Sequence, residues 1–231
     1  MAERLWAREF ARVRAVAWKD LATERRTRAN FNAVVFFAAL TLLLFGFALG
    51  ADTDAVKAAS AGVLWLTVLF SGVLVFNRSY QTELDTGALE LLLLYPGERW
   101  AIFAGKFIAN LAFVLLVEAV ILPLAVVLYH MPLERAPWQI VGVMLLGTVG
   151  FVTLGTFYAA MASRVRAREV LLPLLLFPML VPVLIASVQA TAAFLSGDVM
   201  GDSRVWVRLL VVFDAIFLVA ALLAFEHVIE G

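Results

Sequence analysis

Six long apolar stretches constrain this chain more than any other feature of its sequence. A helix needs roughly 20 mostly apolar residues to cross the hydrocarbon core of a bilayer, which is about 30 Å thick. Stretches of that kind occupy residues 31–51, 58–76, 107–129, 138–162, 170–195 and 206–225. Only 16% of the residues are charged, whereas a soluble domain carries about 25%. The sequence therefore predicts an all-α membrane protein with six transmembrane helices, in a single domain of residues 1–231.

The first 30 residues are polar and basic. At 100° per residue, one face carries the apolar side chains Trp6, Phe10, Val13, Ala17 and Leu21, and the opposite face carries Arg4, Arg8, Arg12 and Lys19. This pattern is typical of a helix that lies in the membrane surface, with its apolar face below the lipid headgroups. A solvated helix packed on a partner protein fits the same pattern.

Lysine and arginine are distributed unevenly between the two sides of the predicted membrane domain. The N-terminal segment and the loops on its side hold fourteen of them, and the loops on the other side hold four. Because cytoplasmic loops carry an excess of lysine and arginine, the distribution predicts that both termini are cytoplasmic.

Motifs for catalysis and for metal or nucleotide binding are absent from the sequence. It contains no cysteine, no P-loop, no His-Glu-x-x-His and no Gly-x-Ser-x-Gly motif. Its two histidines, His130 and His227, stand alone, and an isolated histidine at a helix end is more typical of an interfacial polar residue than of a ligand to a metal or haem iron. We therefore expect no catalytic site, no metal site and no bound cofactor in this chain.

Two acidic residues interrupt the apolar stretches. Glu118 lies in the middle of the third, and Asp214 lies in the sixth, where we expect it nearer the outer surface. A charge at mid-membrane is costly, so Glu118 is predicted to face the bundle interior or water, or to be protonated. It can act as a residue of a substrate or coupling pathway, or as a polar contact between helices.

The fifth stretch contains three prolines, Pro173, Pro178 and Pro182. Each removes a backbone donor and clashes with the preceding turn, so this helix is predicted to be kinked or broken. A flexible or re-entrant element and a kinked packing helix both agree with this pattern.

The polar segment 77–100, between the second and third stretches, is the most informative part of the sequence. Asp85 or Thr86 can cap a helix, and Tyr95-Pro96-Gly97 can stop it. The predicted product is a short amphipathic cytoplasmic helix with four consecutive leucines at 91–94. These leucines require burial in lipid or in a groove of a partner.

Three segments resemble the CcmB family, also called haem exporter protein B. They are FNRSYQTELDTGALELLLLYPGERWAIFAGKFIANL at residues 76–111, AWKDLATERRTRANFNAVVFFAALTLLLFGFAL at residues 17–49, and LLPLLLFPMLVPVLIASVQAT at residues 171–191. The stretch VEAVILPL around Glu118 is similar as well. The resemblance extends over essentially the whole chain.

The resemblance implies an ABC-2-like permease subunit of the bacterial inner membrane that acts in cytochrome c maturation. It implies a CcmA-type ATPase, CcmC, CcmD and the haem chaperone CcmE as partners, together with a second copy of this chain. ATP would bind to the ATPase, haem would be handled by the complex, and no nucleic acid is expected. The residues implied to dock the ATPase are Arg78, Glu83, Asp85, Gly87, Leu89, Glu90, Leu91, Leu92, Pro96 and Arg99.

Two other functions are compatible with the sequence. One is an ABC-type exporter permease for another substrate, such as a lipid-linked glycan or a drug. The other is a membrane scaffold that organises haem-delivery proteins without transporting anything.

Overall fold

The computed structural model describes residues 2–50, 53–87, 98–163, 168–197 and 201–230. The helices of these residues are α1 (Ala2–Thr27), α2 (Ala29–Leu49), α3 (Thr53–Ser79), α4 (Gln81–Thr86), α5 (Trp100–Tyr129), α6 (Pro137–Ala162), α7 (Arg168–Ser196) and α8 (Ser203–Glu230). A single 3-10 turn, Leu133–Arg135, precedes α6. Six of the helices are long and apolar enough to span a membrane, namely α2, α3 and α5 to α8. The predicted all-α protein with six spans is confirmed.

The six long helices run alternately up and down, and this defines two ends of the bundle. The α1 end holds α1, α4, the start of α5 and the end of α6. The far end holds the end of α5, the 3-10 turn and the start of α6. In the most apolar 18-residue stretch of each span, 72% of the stretch is buried in the second span and 67% in α6, but only 22% in α2 and in α8. The centre of the bundle therefore lies at α3 and α6.

Helix α1 is separated from α2 by a single residue, Arg28, whose φ of 49° lies in the left-handed region and breaks the helical path. The carboxylate of Glu24 then binds the start of α2. Its Oε1 accepts a hydrogen bond from the backbone N–H of Phe31, and its Oε2 accepts one from Asn30 Nδ2, both at 3.1 Å. The first of these bonds satisfies a backbone donor that a helix start otherwise leaves unpaired. They fix α1 as a separate helix.

Helix α1 packs along α5 through the small apolar side chains Val13, Val16 and Ala17, all buried. The approach is close because a Cβ on Gly105 of α5 would lie 2.6 Å from Val16 Cβ. Phe10, predicted on the same apolar face, is 62% exposed, and its ring packs edge-to-face against the ring of Trp100. Part of the predicted membrane-facing surface of α1 is thus covered by the chain itself.

Glycines on α6 bring the central helices together, as small residues do in membrane bundles. A Cβ on Gly147 would lie 2.3 Å from the ring of Trp65, and one on Gly155 would lie 2.1 Å from the ring of Phe76. The two aromatic rings of α3 occupy the space that a side chain on α6 would take. Side chains larger than hydrogen at these two positions would separate the helices at the centre of the bundle.

The three prolines of the fifth span do not break its helix. Helix α7 is continuous from Arg168 to Ser196, with Pro173, Pro178 and Pro182 inside it. A broken, re-entrant helix is therefore not found here, and the alternative, a kinked packing helix, stays a prediction. The helix packs against α3, α6 and α8, which hold it along its length despite the missing backbone bonds.

Segment 77–100 differs from the prediction in its described part. Asp85 and Thr86 are the last two residues of α4 rather than caps at the start of a helix. The helix ends because Gly87 adopts a left-handed φ of 67°, a conformation that glycine allows without strain. Leu89, Glu90, Leu91, Leu92 and Pro96 lie outside the described residues, as do the predicted stop residues Tyr95 and Gly97, so the amphipathic helix with leucines at 91–94 stays a prediction.

Candidate functional site

Lys106 is a fully buried cation near the start of α5, with a side chain that is 0% exposed. Its Nζ donates hydrogen bonds to the carbonyl oxygen of Ser79 at 2.5 Å and to Glu83 Oε1 at 2.9 Å. Asp20 Oδ2 of α1 lies 3.1 Å from the same nitrogen. A buried ammonium is tolerated only with such partners. Lys106 therefore links the end of α3, helix α4 and helix α1 to helix α5.

Lys19 of α1 brings a second ammonium to the same place. It donates a hydrogen bond to Glu83 Oε1, and its Nζ lies 3.1 Å from Asp20 Oδ1. Burial acts to lower the pKa of Lys19, but the hydrogen bond to Glu83 and the charges of Asp20 and Glu83 outweigh it, so this pKa is raised. Lys19 is consequently protonated at neutral pH. We call these four residues, Lys19, Asp20, Glu83 and Lys106, the ion cluster.

The ion cluster holds α4 in place. A helix of six residues is too short to be stable by itself, because nucleation costs more than so few bonds return. Glu83 is 2% exposed and faces inward to both ammonium groups, and Lys106 Nζ also lies 4.5 Å from the centre of the Tyr80 ring. Removing one partner of a buried ion pair costs about 3–5 kcal/mol. The position of α4 is therefore tied to α1 and α5.

A hydrogen-bonded contact continues from the cluster into the bundle. Asn110 lies one turn beyond Lys106 on α5, and its Nδ2 donates to Ser79 Oγ at 3.0 Å and to Thr156 Oγ1 at 2.9 Å. The three side chains belong to α5, α3 and α6. The central helices are thus joined directly beneath the cluster.

Helix α1 also contacts the other described edge of segment 77–100. Arg12 Nη1 donates a hydrogen bond to the carbonyl oxygen of Glu98 at 3.2 Å, just before α5 begins. Residues 88–97 are therefore flanked on both sides by contacts with α1, through Lys19 to Glu83 and through Arg12 to Glu98.

The docking residues predicted from the sequence have different positions in the structure. Asp85 and Gly87 are exposed, Arg78 donates a hydrogen bond to Asn30 Oδ1, and Arg99 is half-buried next to α5. Glu83 is buried in the ion cluster, so it anchors α4 rather than presenting a surface. The docking role of the whole set stays a prediction.

Lys106, Lys19 and Asp20 were not among the functional residues predicted from the sequence. The third span was expected to begin at residue 107, which places Lys106 in the preceding loop. Helix α5 instead begins at Trp100, so Lys106 lies inside it. The available signal was the spacing of Lys106, Asn110 and Glu118, which are four and eight residues apart and therefore share one face of α5. The acidic partners lie too far away in sequence for any local pattern to show them.

The two acidic residues of the spans lie on either side of α6. Glu118 is 4% exposed, and its Oε1 accepts a hydrogen bond from Thr148 Oγ1 at 2.5 Å. Asp214 is 7% exposed, and a Cβ on Gly150 would lie 2.4 Å from its Oδ1. Gly150 is near the middle of α6, so Asp214 lies deeper than the position near the outer surface that the sequence suggested.

His130 lies at the far end, where it terminates α5 with a φ of 52°. It borders a cavity of about 630 Å³ together with Lys57, Glu134 and Arg135. His227 is exposed near the end of α8. Within the described residues, no group of three or more histidine, cysteine, aspartate or glutamate side chains is placed to hold a metal ion.

Comparison with known proteins gives consistent matches. The family model described as CcmB protein matches residues 11–231. The heme exporter protein B of Rhodobacter capsulatus is 31% identical over 173 residues, which are 75% of this chain and 79% of that protein. The protein of the same name from Paracoccus denitrificans is 30% identical over 178 residues, 77% of this chain and 81% of that protein. That of Pseudomonas aeruginosa is 28% identical over 182 residues, 79% of this chain and 81% of that protein.

Proposed function

This chain belongs to the CcmB family, and from that premise we propose that it is the permease subunit of an ABC-type complex for cytochrome c maturation. In this proposal it couples ATP hydrolysis by a partner ATPase to haem export or to the release of a haem-loaded chaperone. The relatives named heme exporter protein B support the haem assignment. A CcmA-type ATPase, CcmC, CcmD, the chaperone CcmE and a second copy of this chain are the proposed partners.

The observation that carries the proposal is the attachment of segment 77–100 to the rest of the molecule. A permease without its own ATPase needs a surface segment that receives the partner's movement and passes it to the spans. Here the ion cluster connects α4 to α1 and α5, and Arg12 binds the carbonyl of Glu98 at the other edge. A partner that moves residues 88–97 therefore acts on α1 and on the start of α5.

In this proposal the α1 end is cytoplasmic, where the ATPase is. The excess of lysine and arginine on that side, fourteen against four, supports this orientation. Helix α1 then lies at the cytoplasmic surface of the inner membrane, with the exposed aromatic side chains of Phe10 and Trp18 available to lipid.

Co-purification with the ATPase tests the docking role. The variant with Leu91→Asp and Leu92→Asp places two charges in the apolar run, and we expect it to lose the ATPase while remaining in the membrane. A matched control is Trp138→Asp with Val205→Asp, because these two exposed apolar side chains lie at the starts of α6 and α8, at the far end from segment 77–100. If the variant at 91 and 92 retains the ATPase at the wild-type ratio, the segment is not the docking site.

A further inference from the structure

Within the six spans, and apart from Tyr80 and Glu83 at the ion cluster, four buried side chains from four helices end in oxygen atoms that no described group hydrogen-bonds. These atoms are Ser71 Oγ of α3, Glu118 Oε2 of α5, Ser187 Oγ of α7 and both carboxylate oxygens of Asp214 in α8. Their side chains are all less than a tenth exposed. Buried polar atoms in proteins almost always have a partner, so each of these requires an explanation.

Two of these side chains, Ser187 and Asp214, lie next to one face of α6 and do not hydrogen-bond each other in the structure. A Cβ on Gly147 would lie 2.4 Å from Ser187 Oγ, and a Cβ on Gly150 would lie 2.4 Å from Asp214 Oδ1. Positions three residues apart on a helix are neighbours, about 5–6 Å between their Cβ atoms. Ser187 and Asp214 therefore lie within one turn of each other, where α6, α7 and α8 pack together.

In the part of the chain that the structure describes, no cation pairs with Asp214. Helix α6 contains no Lys, Arg, His, Asp or Glu, and Tyr158 lies two turns nearer the α1 end. Helix α7 carries no ionisable side chain between residues 170 and 196. On α8 itself, Arg208 is six residues away from Asp214. The nearest charged group on α5 is another acid, Glu118, which lies on the opposite side of α6. An isolated carboxylate in such surroundings takes up a proton rather than remain charged.

We propose that Asp214 and Ser187 form a proton-binding site in the middle of the bundle. A proton from the aqueous phase converts the Asp214 carboxylate to a carboxylic acid. Its O–H then donates a hydrogen bond to Ser187 Oγ, directly or through one water molecule. The glycines at 147 and 150 make the room for this contact, because any larger side chain there would occupy the space of the two oxygens. Glu118 differs, since Thr148 already donates to it.

Infrared spectroscopy of the full-length protein in lipid nanodiscs tests this site. At neutral pH we expect a C=O stretching band of a protonated carboxyl that is lost in Asp214→Asn and retained in Glu118→Gln. In Ser187→Ala the band should shift to higher frequency, because the carboxyl loses its hydrogen-bond partner. Ser60→Ala is the matched control, since Ser60 is equally buried but bonds to the carbonyl of Lys57 at the far end. It should leave the band unchanged.

Two results would overturn the proposal. If no band depends on Asp214 at neutral pH, the carboxyl is ionised and the site does not exist. If the band is present but Ser187→Ala leaves its frequency unchanged, Ser187 is not the partner. Should Asp214→Asn fail to fold, ¹³C-labelling of aspartate in the unmodified protein identifies the band instead, because Asp214 is the only buried aspartate of the described residues.

Discussion

Replacing Lys106 by methionine removes the central cation of the ion cluster and keeps a side chain of similar length. The change leaves Glu83, 2% exposed, and Asp20, 22% exposed, without their shared ammonium. Loss of one partner from a buried ion pair costs about 3–5 kcal/mol. Lys19 still contacts Glu83 but is 45% exposed, so it compensates only in part. We expect a loss of about 3 kcal/mol, which lowers the equilibrium constant for folding roughly a hundredfold.

The free energy of unfolding in mixed micelles measures this effect, and co-purification with the ATPase measures its functional consequence. Lys57→Met is the control, because Lys57 is an exposed lysine at the far end. Combining Lys106→Met with Glu83→Gln should restore part of the loss, because the second change removes the uncompensated charge. A loss below about 1 kcal/mol in Lys106→Met, or no recovery in the double variant, would refute the argued role of the cluster.

Three further predictions concern the contacts around the cluster and at mid-membrane. Gly105→Leu should detach α1 from α5 and make residues 2–28 more sensitive to protease, because a Cβ there would lie 2.6 Å from Val16 Cβ. The control is Gly62→Leu, whose side chain enters open space. Equal protection of α1 from protease in both variants would contradict the close packing of α1 on α5. Arg12→Ala should weaken ATPase binding without loss of protein from the membrane, which quantitative co-purification measures; unchanged binding would exclude α1 from the coupling. Glu118→Gln should impair haem-dependent cytochrome c maturation at normal membrane levels, and wild-type activity would leave Glu118 as a contact between helices.

The six spans could be predicted because each depends on a local property, an apolar run long enough to cross the bilayer. Their ends were less predictable. Helix α5 begins at Trp100 instead of residue 107 because Lys106, a residue that ends an apolar run, is neutralised inside the fold by Asp20 and Glu83. Those partners are 86 and 23 residues away in sequence, and their contact exists only after α1 and α4 have packed on α5.

The candidate site was predictable only in outline. The sequence marked segment 77–100 as important and included Glu83, but as part of a surface rather than as a buried anchor. Helix α4 ends where a helix was expected to start. Asp85 and Thr86 are typical of a helix start, but Gly87 ends α4 directly after them through its left-handed backbone. The prolines of α7 show the same limit. Their local effect is to kink or break a helix, whereas α7 is continuous and packs against three neighbouring helices.

The most direct test of the proposed coupling is the release of haem-loaded chaperone from the complete complex reconstituted in nanodiscs. The proposal predicts that ATP releases the chaperone, and that a non-hydrolysable analogue or an ATPase-dead partner does not. It also predicts that Lys106→Met, assembled with an active ATPase, hydrolyses ATP with reduced release. Release at the wild-type rate from the ATPase-dead complex would contradict coupling and would favour a scaffold that only holds the haem-delivery proteins together.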